Sequence, residues 1–509
     1  MTALGVKAVG GIAAAAVSVG VAQLAAALFG PQADVRTAVG ASVIDLTPGP
    51  VKEWAIQTFG TADKLVLTAL VLVVIALLAA VAGIAESVRR PVGSAMILAA
   101  GVAGCAAVLS RSGATIADIV PTVVGAVGGV AVLRVLASSR FSDSAPDEEH
   151  PDAPDRGRRL SLLTLGLLAA GVASGVAGVV IGRLKSSVAG DRQDFALPAV
   201  DVAAPPIPAS VQPKGVELPT FITSNADFYR IDTALIVPQL SRDEWQLRIH
   251  GMVDREVTYR FADLDRFEVI ENVVTLTCVS NPIGGELISN ASWIGYRVRD
   301  LLASAGVKPD ADMVLSRSTD GWTAGTPVEA LTAADALLAV GMNGEPLPVE
   351  HGYPARLVVP GLYGYVSATK WVVDLELTRF DRAEAYWTQR GWSPRGPIKT
   401  QSRIDVPRAG SEVPVGPARF GGVAWAQDRG VRDVEVQIDD GQWQRADLGE
   451  SYSNATWRLW SFDWYAQEPG LHTITVRATD NTGYTQTSER ADPAPDGATG
   501  WQSITFAVR

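Results

Sequence analysis

Hydrophobic residues are laid down along this chain in two patterns. The first part carries unbroken apolar runs at about residues 5–29, 65–85, 92–110, 113–133 and 160–182, each rich in Ala, Gly, Val and Leu. A helix crossing a hydrocarbon layer about 30 Å thick needs roughly 20 such residues, because its backbone must satisfy its own hydrogen bonds there. The runs predict five spanning helices and make residues 1–184 a helical membrane bundle. A cleaved signal peptide is the alternative for the first run, but no convincing basic stretch precedes it and four more runs follow. The second part is finely divided. Residues 185–222 hold Pro198, Pro205, Pro206, Pro208 and Pro213 and read as an extended, non-helical linker. Between 223 and 395, short apolar or alternating stretches at 246–249, 273–278, 356–359 and 370–375 predict strands, and 297–305 and 329–339 predict amphipathic helices. Together they predict an α+β domain.

From 396 to 509 the pattern becomes all-β. Val434, Val436 and Ile438 alternate with polar residues ahead of Asp439-Asp440-Gly441; Ile474, Val476 and Ala478 do so ahead of Asp480-Asn481-Thr482-Gly483; Ile504, Phe506 and Val508 close the chain. Strands at this spacing, with Trp457, Trp460 and Trp464 between them, suggest an immunoglobulin-like sandwich. Composition sharpens the division: of 13 tryptophans only Trp54 precedes Trp245.

Charge then fixes orientation. Arg89 and Arg90 lie between the second and third runs, and Arg140, Arg156, Arg158 and Arg159 between the fourth and fifth, so these loops are expected in the cytoplasm and everything after about residue 184 outside. Arg158-Arg159 followed by Leu-Ser-Leu-Leu and a Gly/Ala-rich run also resembles a twin-arginine export signal, the alternative being an ordinary positive-inside flank. Asp118 is the one carboxylate expected at membrane depth, close enough to the end of its run to reach interfacial water. His150, His250, His351 and His472 all lie outside the runs, so a bis-histidine membrane haem is excluded and the helices read as an anchor or docking platform. With 43 basic against 54 acidic residues, a net charge of −11 argues against a nucleic-acid binder. Two distant cysteines, Cys105 and Cys278, build no disulfide framework.

The candidate chemistry is downstream. Thr275 to Glu286 leaves a strand and enters a Gly-rich turn where backbone N–H groups can converge on a ligand, without the Gly-Lys-Ser/Thr of a phosphate loop. Cys278 sits there as a small core residue or as a thiolate offered to a soft metal. His351-Gly352-Tyr353-Pro354-Ala355-Arg356 and the stretch Gly364 to Trp371 bracket an apolar strand with cations and hydroxyls. Arg356 with Lys370 favours an anion site, a planar fork beside a point charge.

These motifs, with Val359-Pro360-Gly361 and Pro397 to Ile404, occur in the order found in the sulfite oxidase family of molybdopterin enzymes, which residues 220–509 resemble. The resemblance implies a molybdenum-molybdopterin catalytic domain at 223–395 and an immunoglobulin-like dimerisation domain at 396–509. It implies Cys278 as the thiolate on molybdenum, and Asn225, Phe228, Tyr229, His351, Arg356, Ser367 and Lys370 around the pterin and its phosphate. It further implies oxygen-atom transfer on a small or protein-borne sulfur–oxygen substrate and a homodimer; no additional His-bearing module is seen, so no haem and a separate electron carrier are expected, and the apolar runs imply lipid contact.

Two departures bear on substrate. Asn281 is followed by Pro282-Ile283 where sulfite oxidases place Arg-Arg, and Trp322 stands where they carry a tyrosine near the metal. Asn281 and Trp322 join Cys278 as candidate catalytic residues, Trp322 being equally readable as core. A sulfoxide reductase is the enzymatic alternative, and a non-catalytic cell-envelope scaffold on the same fold the other.

Overall fold

In a computed structural model of the chain, residues 3–48, 51, 54, 58, 63–111, 114–138, 156–234 and 236–509 are described. They divide into two compact units, Met1–Ser187 with Ala234–Val237, and Val188–Thr233 with Pro238–Arg509.

The first unit is helical: α1 (Ala3–Phe29), α2 (Val35–Leu46), α3 (Asp63–Ala85), α4 (Val92–Leu109), α5 (Val120–Leu136) and α6 (Arg156–Ser186). All but α2 are long and apolar enough to cross a membrane, five in number as the runs predict. The short α2 escapes the hydropathy pattern; it starts because Asp34 accepts hydrogen bonds from Arg36 N and Thr37 N at its N-terminus. The fourth long helix starts later than residue 113. Thr115 and Asp118 close a short turn over Ile116–Ile119, with Asp118 accepting from Thr115 N at 2.7 Å, and Pro121 then falls in the first turn of α5. Asp118 is therefore a half-buried helix cap. The most deeply buried carboxylate among the described residues of this unit is Glu86, just after α3, which accepts from Ser94 N and Oγ at 2.8 and 2.9 Å and pairs with Arg134 Nε at 3.4 Å. Arg140, His150 and the side chains of Arg156 and Arg158 lie outside the described residues.

The second unit begins with a correction. The supposed linker holds a helical turn, α7 (Ala189–Asp194), fastened to the sheets behind it. Asp191 accepts from Arg242 N, Nε and Nη2 and from Tyr353 Oη, and Arg192 donates to Leu347 O and Pro346 O. Prolines do keep the later part extended, but Val202 still pairs with Ile270.

Two sheets follow. One runs β2-β1-β10-β5-β6, from β1 (Gln246–Gly251), β2 (Val257–Arg260), β5 (Met313–Ser318), β6 (Thr323–Pro327) and β10 (Val372–Thr378). The other runs β3-β4-β7-β8, from β3 (Val269–Thr277), β4 (Ile288–Arg297), β7 (Leu337–Met342) and β8 (Glu345–Pro346), with β9 (Arg356–Val358) also on β7. They share one core: Leu247, Val314 and Leu375 from the first sheet meet Tyr296, Leu338 and Leu357 from the second, with Leu301 and Leu302 of α8 (Val298–Ala303) between. The helix expected over 329–339 is only the turn α9 (Val328–Leu331); Leu337 to Val340 belong to β7. Every residue of β7 is buried, so its faces show no alternation, and a short apolar run of that kind reads equally as helix or strand.

The C-terminal part contains two further sheets facing each other. One runs β11-β13-β17-β16: β11 (Gln401–Val406), β13 (Gly416–Trp425), β16 (Asp447–Leu448) and β17 (Arg458–Ala466). The other runs β12-β19-β18-β14-β15: β12 (Glu412–Val413), β14 (Val431–Ile438), β15 (Gln444–Arg445), β18 (Gly470–Asp480) and β19 (Gln502–Val508). Phe420, Trp460, Val434, Ile474 and Phe506 form their common core. A separate cluster joins this layer to the preceding one, with Trp425, Trp457 and Leu459 against Val273, Ile288 and Tyr363.

Candidate functional site

β3 ends at Thr277 and presents Cys278 on a turn that its own backbone holds shut. Cys278 N donates to Leu287 O at 3.0 Å, Asn281 N to Cys278 O at 3.1 Å, and Leu287 N to Asn281 Oδ1 at 2.9 Å. Gly284 at φ +73° makes the reversal there without steric cost. Asn281 is buried and its Oδ1 is committed to this turn, so it shapes the loop that carries the sulfur. Cys278 itself is half-buried. Burial raises its thiol above the ordinary value; hydrogen bonding from Ser280 and the charge of Lys370 work the other way.

An aromatic wall stands beside it. Phe228 packs on Tyr229 (5.5 Å between ring centres), Trp293 (5.6 Å) and His351 (5.4 Å). Tyr229 is fixed by donation from its backbone N to Ser289 Oγ, and burial, then the nearby Cys278, hold its phenol protonated well above the usual range. Asn225 accepts from Asn343 Nδ2 at 2.8 Å, and its backbone carbonyl faces His351.

His351 is 2% exposed and its Nδ1 has no hydrogen-bond partner among the described residues. Burial, followed by the charges of Arg356 and Lys370, pushes its pKa down to about 3, so the ring is neutral at any ordinary pH. Arg356 is equally buried. Its guanidinium donates to the carbonyls of His351 (3.1 Å), Ala368 and Leu357 and lies over Trp293 at 5.1 Å; burial lowers its pKa to about 10. Lys370 Nζ donates to Asp232 Oδ2 at 3.2 Å and Glu350 O at 3.0 Å, and burial lowers it to about 8 despite that carboxylate. Asp232 is shared with Arg230 at 2.8 Å. Lys370 and Arg230 thus share one carboxylate while the buried Arg356 meets only backbone carbonyls, an excess of positive charge that an anion would relieve.

Two expected residues sit differently. Ser367 is fully buried and donates to Tyr363 O at 3.0 Å, closing the turn over Gly364–Val366. Trp322 is half-buried in the β5–β6 turn, and that turn is tied to Trp371 through Thr319 N and to Tyr386 through Thr323 Oγ1. Its indole makes no ring or polar contact with Cys278, Tyr229 or Arg356 among the described residues. Asp232, Trp293 and Ser280 were passed over in the sequence, although Asp232 lies in the same loop as Asn225 to Arg230 and only its carboxylate beside cations could have marked it.

Among the described residues no group of three or more His, Cys, Asp or Glu converges. A metal at Cys278 must therefore bring its remaining ligands with it. A buried cationic cradle, an unpaired ring nitrogen and a half-buried thiol fit a metal carried by a phosphorylated organic cofactor.

Comparison with known proteins agrees. Residues 234–387 match the family described as oxidoreductase molybdopterin binding domain, and the chain is on that ground a molybdopterin-dependent oxidoreductase. An uncharacterized oxidoreductase of Bacillus subtilis, YuiH, is 35% identical over 153 residues, 30% of this chain and 74% of that protein. The sulfite oxidase of Gallus gallus is 31% identical over 291 residues (47% of this chain, 63% of that one), and human mitochondrial sulfite oxidase 32% over 288 (47% and 52%). The chain thus spans between half and two thirds of the sulfite oxidases it matches. Among solved structures, the sulfane dehydrogenase SoxCD of Paracoccus pantotrophus aligns with a TM-score of 0.49 and 25% identity, over 57% of this chain and 82% of that one. The chain belongs to the sulfite oxidase family of molybdenum-dependent oxidoreductases.

Proposed function

We propose that this protein is a membrane-anchored oxidoreductase whose active site faces away from the cytoplasm and transfers an oxygen atom to or from a sulfur–oxygen compound at a molybdenum bound by Cys278. The observation that carries this reading is that one site holds both a half-buried cysteine on a rigid turn and the buried Arg356, whose polar partners are backbone carbonyls and not a carboxylate.

When bound, molybdenum-molybdopterin supplies two-electron oxygen-atom chemistry with water as the other oxygen partner. The chain's own part is to hold and exclude. Cys278 gives up its proton to become the thiolate ligand, and the turn held by Asn281 keeps that sulfur aimed. Arg356 and Lys370 supply charged donors to the cofactor's phosphate, and the neutral His351 offers Nδ1 as an acceptor to the pterin. Asn225 positions the His351 ring, Phe228 and Tyr229 close the pocket against water, and Tyr229 keeps a phenolic proton to donate. Ser367 holds the backbone of the Gly364 turn against them. Trp322 borders the substrate side through its hairpin.

The facing C-terminal sheets are read as an immunoglobulin-like sandwich that pairs two copies. The five apolar helices are read as spans in contact with lipid, with Arg158-Arg159 the export signal and a separate electron carrier in place of a haem.

Pro282-Ile283 favours a sulfoxide over sulfite as substrate, because these two positions carry no cation where the resemblance leads one to expect Arg-Arg. The test is a substrate panel on full-length protein from a cofactor-competent host, after molybdenum and pterin analysis. Oxidation of sulfite with ferricyanide would support the oxidase, and turnover of a sulfoxide with a reduced dye the reductase. Protein with neither metal nor pterin would support the scaffold and remove the catalytic reading.

A further inference from the structure

β3, the strand that ends one residue before Cys278, lies at the edge of its sheet, so beyond the bridge from Ile270 to Val202 one side of its backbone has no partner strand. Two loops of the C-terminal layer supply partners instead. Thr275 N donates to Ala455 O at 3.0 Å, and Trp457 N donates to Thr275 Oγ1 at 2.8 Å. Gln427, fully buried just beyond β13, directs its amide at the same strand: Nε2 donates to Thr275 O and to Thr277 Oγ1, each at 3.1 Å. Its Oε1 is buried and has no hydrogen-bond partner among the described residues. An unpaired buried acceptor is unfavourable, so the donor end is what fixes this side chain. Edge satisfaction alone needs only the bond to Thr275 O. The second bond reaches the hydroxyl of the residue immediately before the cysteine.

We infer that Gln427 is a positioning residue for the Cys278 sulfur: by gripping Thr277 it sets the direction in which the thiolate leaves β3, and so makes the C-terminal layer part of the metal site. This rests on the reading of Cys278 as the metal's thiolate ligand. Gln427 touches no reacting atom.

The test separates aim from docking. Gln427→Leu keeps the volume and removes both donors, Thr277→Val removes the acceptor, and Thr277→Ser keeps it. Trp457→Phe removes the indole N–H that donates to Phe221 O at 3.0 Å, loosening the same junction without touching Thr277. Full-length protein carrying Cys105→Ser and produced without cofactor is alkylated with iodoacetamide. Gln427→Leu, Thr277→Val and their combination should each change the rate at Cys278 by the same factor, about threefold or more, because the bond from Gln427 to the Thr277 hydroxyl is lost in all three and the bond to Thr275 O does not aim the sulfur. Thr277→Ser and Trp457→Phe should alkylate at the parent rate, Trp457→Phe with a lowered melting temperature. In metal-loaded protein, Gln427→Leu should shift the molybdenum(V) paramagnetic resonance signal and lower kcat more than it raises KM, and Trp457→Phe should do neither. Parent-like alkylation in Gln427→Leu and Thr277→Val, or an equal change in Trp457→Phe, would overturn the inference. Absence of molybdenum would fell the cofactor reading instead, and the alkylation rates would still decide what Gln427 does to Thr277.

Discussion

The helical unit and the sheet unit bury opposite materials. In the first, the closest approaches are made by glycine: a β-carbon on Gly11 of α1 would lie 2.0 Å from Ala79 O of α3, and one on Gly83 of α3 2.1 Å from Lys7 O of α1. Large side chains such as Leu77 and Val102 stand outward, 64% and 71% exposed. In the second unit Trp245, Trp293, Trp371 and Trp460 are sealed in the cores. A hydrocarbon solvent gives no reward for burying leucine, so helices there associate through small residues and close backbones, whereas water drives the bulky side chains inside. Chemistry divides along the same line. Each unit holds one cysteine, and among the described residues it is Cys278 that has a hydrogen-bonding hydroxyl and a cation at hand.

The largest effect should separate those two sulfurs. Cys278→Ser is expected to lower turnover at least about a hundredfold, since even residues one shell further from a metal cost ten- to a hundredfold. Cys105→Ser, in the apolar run of α4, should leave turnover unchanged. Molybdenum content and steady-state rates on both variants check this, and equal activity in the two would end the division of labour.

Much of that division was legible in the sequence. Five helices could be read because hydrocarbon thickness demands long apolar runs, and Cys278 stood out because a strand pattern stops at a Gly-rich turn. What could not be read is non-local or masked by burial. Lys370 meets Asp232 across 138 positions and Gln427 meets Thr277 across 150, and no local pattern encodes such pairs. β7 was misread because full burial erases the two-residue alternation. Glu86 lay just past the end of an apolar run and gave no sign that Ser94 and Arg134 close over it.

Arg356 sharpens the contrast from inside the sheet unit, because its burial is costly unless an anion arrives. Arg356→Met should cut cofactor retention ten- to a hundredfold. The cofactor-free protein should nonetheless be as stable or more so, by about 1 kcal/mol, since an apolar side chain replaces a buried charge. Thermal unfolding and pterin content on the same preparations test the pair of signs. A destabilised cofactor-free variant would mean that the bonds to His351 O and Ala368 O, not an anion, explain this arginine.

Lys370 gives the smaller, pH-dependent version of the same argument. Burial holds its pKa near 8, below the ordinary 10.5, so between those values the folded chain binds fewer protons than the unfolded one and stability rises with pH. Anion affinity must move the opposite way, because the ammonium is lost as pH climbs through about 8. Inorganic sulfate, a dianion throughout this range, titrated into cofactor-free protein should bind about tenfold more weakly at pH 9.5 than at pH 6.5, the loss of one charge-assisted hydrogen bond. His351, already neutral above about 3, contributes nothing in this window. A flat profile would remove Lys370 from the anion site.

The smallest effect concerns α7, which belongs to the sheet unit although it directly follows the last apolar helix in sequence. Asp191 is 21% exposed at its side chain and Arg242 26%, so screening limits their worth to about 1 kcal/mol. Burial alone would raise the Asp191 pKa, but Arg242's backbone N–H, the Tyr353 hydroxyl and the Arg242 guanidinium outweigh it and hold the carboxyl below its ordinary 3.8. Its contribution is therefore present at neutral pH and lost as pH falls through that lowered value. Asp191→Asn should speed amide hydrogen exchange across 189–195 about fivefold at pH 7, the factor that corresponds to about 1 kcal/mol. Through Tyr353 it should also loosen 351–356, the stretch that carries His351 and Arg356. As pH falls below that lowered value the variant and parent should come to exchange alike once intrinsic rates are removed, because the parent's carboxyl is then protonated. Unchanged exchange at pH 7 would mean that Asp191 does not hold α7, and that the tie between the segment after the last apolar helix and the cationic cradle lies in the packing of Phe195 against Tyr353 and Phe261.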